Sequence, residues 1–296
     1  MPVANANPEK RFFIDLITRD ISLEDAILDL VDNSIDSLVR TKQIDIYRDF
    51  ANTAGPIFEK PLAEINISFS PNQFKIEDNC GGIPFENAEN EVFRFGHPDP
   101  HRGLSLSVFG IGMKRAIFKI GRQIMIESHA EESGFSMHLD VDEWLKEESP
   151  DWKIPLEKII KRIDSTKTGT KIIISRLREE ISTLTKNPVF SNRLIKTIQE
   201  TYPFYLGKYI CISVNSNGVE GKDLSFAVSE KMNIRPSIDS WEDGNVKATM
   251  ICGLLPREDG KWTFEKSGWY IILWGLTSLF FSILETVPLL IRESEG

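Results

Sequence analysis

The sequence predicts an α+β fold, in which amphipathic helices and antiparallel hairpins share one core. Two patterns carry that reading. Ala26, Ile27, Leu30, Val31, Ile35 and Leu38 recur at three- and four-residue spacing, the apolar stripe of a helix laid on a core. Ile65, Ile67 and Phe69, then Phe74 and Ile76, alternate with polar residues on either side of Pro71-Asn72, as half-buried strands of a hairpin do.

Composition bounds the rest. At 296 residues the chain can bury a sizeable core and is long enough for two domains. Apolar residues make up 41% and charged residues 27%, ordinary values for a soluble globular protein. A net charge of −9 argues against a surface that coats nucleic acid and leaves room only for a local basic groove. Cys80, Cys211 and Cys252 are odd in number and far apart, so they form neither a zinc pattern nor a disulfide framework, and a reducing cytoplasm is expected. The first ten residues lack the apolar core of a signal peptide. Residues 268–284 carry no charge. They fall short of the roughly 20 apolar residues of a membrane span and read as one or two buried strands, with a membrane segment as the alternative.

Taken in order, Phe12, Phe13, Leu16 and Ile17 predict a short N-terminal helix, and Ser22 with Asp25 three residues on predicts a capped start for the central helix, which runs to about Arg40. Residues 41–60 read as a loop. The hairpin follows, its second strand ending in Asp78-Asn79-Cys80-Gly81-Gly82-Ile83-Pro84. Residues 86–107, with Gly96, Pro98, Pro100 and Gly103, are expected to be mobile. A glycine-bearing loop through Gly110 then opens a helix, and strands follow at 123–127 and 135–140. Residues 142–161 read as a charged connector anchored by Trp144 and Trp152. Thr168-Gly169-Thr170 precedes a strand at 171–175. From about Arg178 a second domain is expected, with a helix at 193–202 and strands at 209–214, 246–254 and 268–273.

Three stretches have the makings of a site. Asp29, Asn33 and Asp36 lie one turn apart on one helical face, with Asp32 on a neighbouring arc. Crowded acids repel, and a cation held with a polyphosphate would relieve them; the alternative is a solvated acidic face. Asp78 at a strand end can accept from an exocyclic amine, and Gly81-Gly82 lets backbone approach a flat ligand; the alternative is a plain glycine turn. Gly110-Ile111-Gly112-Met113-Lys114-Arg115 joins free amides at a helix start to two cations, which suits a polyphosphate. It lacks the Gly-Lys-Ser/Thr end of a P-loop and the frame of a dinucleotide fingerprint, and an ordinary helix start remains the alternative. Thr170 can set a hydroxyl beside a base or sit in an edge turn. His97, His101, His129 and His138 have no metal spacing.

In this order and at these intervals the stretches resemble the GHKL ATPases, the superfamily of gyrase-type topoisomerases, ninety-kilodalton heat-shock chaperones, sensor histidine kinases and MutL-type proteins. The closest flavour is that of Microrchidia-like or chaperone-like bacterial ATP-binding proteins. The resemblance covers residues 10–175 well and the remainder weakly. It implies a Bergerat-type α/β sandwich, a mixed and mostly antiparallel sheet with helices on one face, over residues 1–177, and a partial transducer-like α/β domain over 178–296. ATP and Mg²⁺ are the implied ligands. Asp29 stands in the place of the glutamate that polarises the attacking water, and Asn33 in that of the magnesium-binding asparagine. Asp32 and Asp36 line the same face. Asp78 matches the adenine-binding aspartate, beside Gly81, Gly82 and Ile83. Gly110, Ile111, Gly112, Met113 and Lys114 match the phosphate-covering lid, and Thr170 the threonine that supports the base.

Three departures stand out. Asp29 is shorter than a glutamate, Cys80 replaces a glycine of the adenine motif, and Ser107 replaces a lid glycine. Slow hydrolysis is the expectation, with a degenerate, non-catalytic nucleotide sensor as the alternative. The resemblance further implies a nucleotide-dependent homodimer acting as a clamp. It implies a client protein or a DNA-associated complex as partner, and a lysine from the second domain, Lys247, Lys261 or Lys266, at the γ-phosphate. A kinase of the histidine-kinase type is disfavoured, because no histidine precedes the helix motif.

Overall fold

A computed structural model of the chain describes residues 9–44, 60–95, 110–146, 152–159, 167–221, 229, 231–235, 237–243, 246–254, 268–273 and 276–282. These form two compact units. The first holds the described residues up to Ile44, Lys60–Ile198 and Gly207–Val219; the second holds Gln199–Leu206 and what is described after Glu220.

The first unit begins with α1 (Lys10–Arg19) and α2 (Leu23–Lys42). The Ser22 hydroxyl accepts from the Asp25 amide while the Asp25 carboxylate accepts from the Ser22 amide, the reciprocal cap expected from the sequence. Gln43, in the left-handed region at φ 51°, ends α2 by donating its amide to the Val39 carbonyl. α1 is the short N-terminal helix that the spacing of Phe12, Phe13, Leu16 and Ile17 predicts; its buried arc is Lys10, Ile14 and Thr18, and Phe12 is 61% exposed.

Strands β1 (Ala63–Phe69) and β2 (Gln73–Asp78) form the predicted hairpin. Pro84 opens α3 (Phe85–Asn87), and Ala88–Val92 continues it as a wider π-type turn, so the segment expected to be mobile from residue 86 is helical up to Val92. Residues 96–107 of that segment lie outside the described residues. Next come α4 (Gly112–Ile120), β3 (Gly121–His129), β4 (Gly134–Asp140), α5 (Val141–Lys146), β5 (Glu157–Ile159) and β6 (Gly169–Leu177). The expected connector thus contains a helix and a strand, and Trp144 within it is buried, its indole donating to the Lys153 carbonyl at 2.9 Å.

Then follow α6 (Glu179–Thr185), α7 (Pro188–Thr201), β7 (Ile210–Val214) and β8 (Asn217–Val219). The eight strands form one sheet in the order β5-β4-β3-β6-β2-β1-β7-β8. Every pairing is antiparallel except β1–β7, which is parallel and brings residues from beyond 178 into the sheet. One phase of each strand is buried: Ile65 and Ile67, Phe74 and Ile76, Ile124 and Ile126, Phe135 and Met137, Ile172 and Ile174, Ile210 and Ile212. The alternate phase, with Glu64, Asn66, Gln123 and His138, is exposed. The helices α1, α2 and α4 pack together over the buried face. This is the α+β architecture the sequence led one to expect, a mixed sheet with its core between one face and a helical layer.

The second unit contributes two antiparallel pairs, β9 (Ser237–Asp243) with β10 (Val246–Cys252) and β11 (Gly268–Leu273) with β12 (Leu276–Ser282). The uncharged stretch is therefore a pair of strands up to Ser282. Among the described residues, no helix is long and apolar enough to cross a membrane. Lys261 and Lys266 lie outside the described residues.

Candidate functional site

The fold gathers the candidate residues at one end of the sheet and on the helices above it. β2 ends at Asp78, β6 begins at Gly169, and β3 ends at His129, with Ser128 opposite Thr170 in register. Asp78 lies deep. One carboxylate oxygen accepts from the Cys80 amide at 2.9 Å and the Thr170 amide at 3.3 Å, and the other accepts from the Ser34 hydroxyl of α2 at 2.7 Å. Burial pushes its pKa upward, against the pull of those donors. A carboxylate offers about four acceptor sites, so one is left for a donor from a ligand.

Backbone closes in around this acid. Gly82 has φ +71°, and a Cβ there would sit 2.0 Å from the His129 carbonyl oxygen. At Gly169 a Cβ would sit 1.9 Å from the Asp78 carbonyl oxygen. Both positions admit only glycine, so the glycines are set by strand-end crowding and a left-handed turn, and the floor they leave is flat. Ser128, fully buried, bonds the Thr170 hydroxyl at 2.8 Å and accepts from the Ile83 amide at 2.8 Å. It fastens the Gly81-Gly82-Ile83 loop to the Thr170 side of the pocket. Cys80 is buried beside Asp78, and burial drives its thiol pKa far up, so it is an inert packing residue here.

The second cluster lies where α2 meets α4. Gly112 brings the start of α4 close to α2: a Cβ on it would be 3.3 Å from the Asp29 carboxylate. Both Asp29 oxygens accept from Arg115, at 2.5 Å from Nε and 2.8 Å from a terminal nitrogen. That pairing raises the Arg115 pKa further. The Asn33 carboxamide nitrogen donates to the Asp29 carbonyl at 2.5 Å, which leaves its oxygen as a hard ligand. Such an oxygen fits magnesium held mainly by phosphates and water. Asp32 and Asp36 are half-buried on the same helix.

Lys114, expected over the phosphates, is 3% exposed; its ammonium donates to the Val92 carbonyl at 2.6 Å and lies 5.8 Å from the Phe95 ring centroid. Burial lowers its pKa to about 8. Gly110 and Ile111 lead into α4, and Met113 is buried behind it.

A family model described as histidine kinase-, DNA gyrase B-, and HSP90-like ATPase matches residues 21–170, just over half of the chain. The chain belongs to this family. No curated protein matches it. Membership accounts for the α+β sandwich and makes ATP the family ligand of the site, with the matched residues running from the cap of α2 to Thr170. The family match thus spans both clusters, Asp78 with its glycine floor and the Asp29–Asn33 face. Two residues that position these groups, Ser34 and Ser128, carry no site assignment from the sequence, and Arg115, read there as a cation for polyphosphate, pairs with Asp29. Ser128 had a signal: it occupies the core-facing phase of β3 after Ile124 and Ile126.

Proposed function

We propose that this protein binds ATP with Mg²⁺ and hydrolyses it slowly, using nucleotide to close a lid and drive a dimeric clamp of the Microrchidia-like or chaperone-like kind. The observation that supports it most is the half-buried Asp78, held by three donors with one acceptor site left over a glycine floor. That is the chemistry of adenine recognition: the acid takes the exocyclic amine and the flat backbone takes the ring. Gly81, Gly82 and Ile83 line the base, and Thr170 supports it. Gly110, Ile111, Gly112 and Met113 cover the phosphates with amides at the start of α4.

Asn33 would hold a magnesium ion, with Asp32 and Asp36 lining the approach, and the ion would supply charge neutralisation. Asp29 orients the attacking water. The second unit, within the region 178–296 expected to be transducer-like, would pass nucleotide state to a client protein or a DNA-associated complex. The cysteine usage fits a cytoplasmic setting.

One observation favours a second reading, a nucleotide sensor without turnover: both Asp29 oxygens are taken by Arg115. Calorimetry and phosphate release on wild type and Asp29→Asn separate the two. The ATPase predicts retained Mg-ATP binding and lost release in the variant. Binding with no release from either protein supports the sensor, and no binding by wild type overturns both.

A further inference from the structure

We infer that Arg115 is a latch on Asp29, which the terminal phosphate of ATP draws off, so that nucleotide itself unmasks the carboxylate. This rests on the nucleotide reading above and deepens it. The ion pair joins residues 86 positions apart, across the contact of α2 with α4. It is two-toothed: two guanidinium donors each take one lone pair of a different carboxylate oxygen, so the edge of Asp29 that faces α4 is occupied and its charge is matched by a cation. A carboxylate held in that way presents its paired edge to the guanidinium and not to water.

The pair is also placed to exchange. The Arg115 side chain is 32% exposed while that of Asp29 is 15% exposed, so the cation is the member that can move. Arg115 stands one turn inside α4, whose first turn carries Gly112 against Asp29. If Asp29 faces water attacking the terminal phosphate, that phosphate arrives next to Arg115. A planar guanidinium binds phosphate oxygens with the same fork that it offers a carboxylate. Lys114 does not compete for this role, since its ammonium is committed to the Val92 carbonyl. Arg115 is thus a positioning residue. It silences the acid when the site is empty and becomes a phosphate ligand when ATP is present.

Exchange of one partner for another is a thermodynamic coupling, and it is read without turnover. The experiment is calorimetry of Mg-ATP and Mg-ADP binding to wild type, Asp29→Asn, Arg115→Gln and the double variant. Removing the carboxylate's charge frees Arg115, so Asp29→Asn should tighten ATP about five- to tenfold, a common size for such coupling. In the Arg115→Gln background the same change should leave ATP affinity within twofold. ADP, which lacks the terminal phosphate, should show no such difference between backgrounds. A general loss of repulsion between Asp29 and phosphate would act equally in both backgrounds, and that result overturns the latch. So does weaker ATP binding by Asp29→Asn. Where Arg115→Gln fails to fold, Arg115→Lys keeps the charge and loses the fork. The Asp29→Asn gain should then shrink at least threefold, and an undiminished gain overturns the latch. Absence of ATP binding by wild type and every variant would sink the nucleotide reading and the latch with it; binding without coupling sinks the latch alone.

Discussion

Replacing Asp78 by asparagine tests the nucleotide pocket without removing its walls. The oxygen of Asp78 that accepts from Cys80 and Thr170 can become the carboxamide oxygen, which keeps both backbone donors at 2.9 and 3.3 Å. The other oxygen becomes an amino group facing Ser34, 2.7 Å away. The Ser34 hydroxyl can turn to accept from it, because its proton has a second acceptor in the Leu30 carbonyl at 3.3 Å. No buried group of the protein is left unpaired, so the fold should hold.

The ligand fares differently. An adenine amine that donated to a carboxylate would meet another donor. Losing a hydrogen bond to a charged group costs about 1.5–3 kcal/mol, so ATP should bind roughly 10- to 100-fold more weakly. GTP, whose base presents a carbonyl at that position, should lose far less. Calorimetry with both nucleotides checks this. An unchanged ATP affinity would refute the assignment of Asp78 to the base.

The pH dependence gives an independent reading. Burial raises the Asp78 pKa above its unfolded value of about 3.9, so ionising it costs the folded state, and the stability it contributes is lost as pH rises through the folded pKa. Asp78→Asn has no such cost. Relative to wild type it should be more stable at pH 7, with the gap closing as pH falls toward the unfolded value. Chemical denaturation across that range would show a gap of opposite sign if the hydrogen bonds to Asp78 outweighed its burial.

Other perturbations follow from the same packing. Gly82→Ala forces a side chain into φ +71° and onto the His129 carbonyl oxygen, so a loss of several kcal/mol in unfolding free energy is expected, and a near-wild-type melting temperature would contradict the described turn. Ser128→Ala leaves the half-buried Ile83 amide and Thr170 hydroxyl without their partner; about 1–3 kcal/mol of stability should go, with weaker ATP binding, as denaturation and calorimetry would report. Lys114→Met should leave ATP affinity within about twofold, because the ammonium serves the Val92 carbonyl. The depressed Lys114 pKa, about 8, makes its protonated form a cost in the fold. Any advantage of the methionine variant should therefore be full below pH 8 and fade as pH rises toward the unfolded lysine value.

How much of this was legible beforehand depended on whether a residue's role is local or made by packing. Helix and strand periodicity are local properties, so the stripe on α2, its Ser22–Asp25 cap and the β1–β2 hairpin could be read directly. So could the order of Asp29, Asn33, Asp78 and Gly82. The parallel pairing of β1 with β7 joins segments nearly 150 residues apart and leaves no local trace, and the sheet therefore extends past the boundary expected at 178. In α1 the spacing of Phe12, Phe13, Leu16 and Ile17 announced the helix, but its buried face is made by packing: Ile14 and Thr18 with the Lys10 stem, whose ammonium lies 4.8 Å from the Trp144 ring centroid.

The two consecutive cations of α4 sharpen the point. Spacing placed both Lys114 and Arg115 at a helix start, where either could meet a phosphate. Yet the sequence did hold a discriminator. Lys114 lies three and four residues before Ile117 and Phe118, both buried, so helical geometry puts its stem on the apolar arc. Arg115 falls between that arc and solvent, facing α2. What sequence could not supply was the meeting of α2 and α4 at Gly112, where a Cβ would already approach Asp29 to 3.3 Å. Only that approach turns a generic basic residue into the forked partner of one particular acid. The chemistry of the site therefore hangs on a helix-to-helix contact that no periodicity encodes, and a larger residue at position 112 should loosen the Asp29–Arg115 pair before it disturbs Asp78.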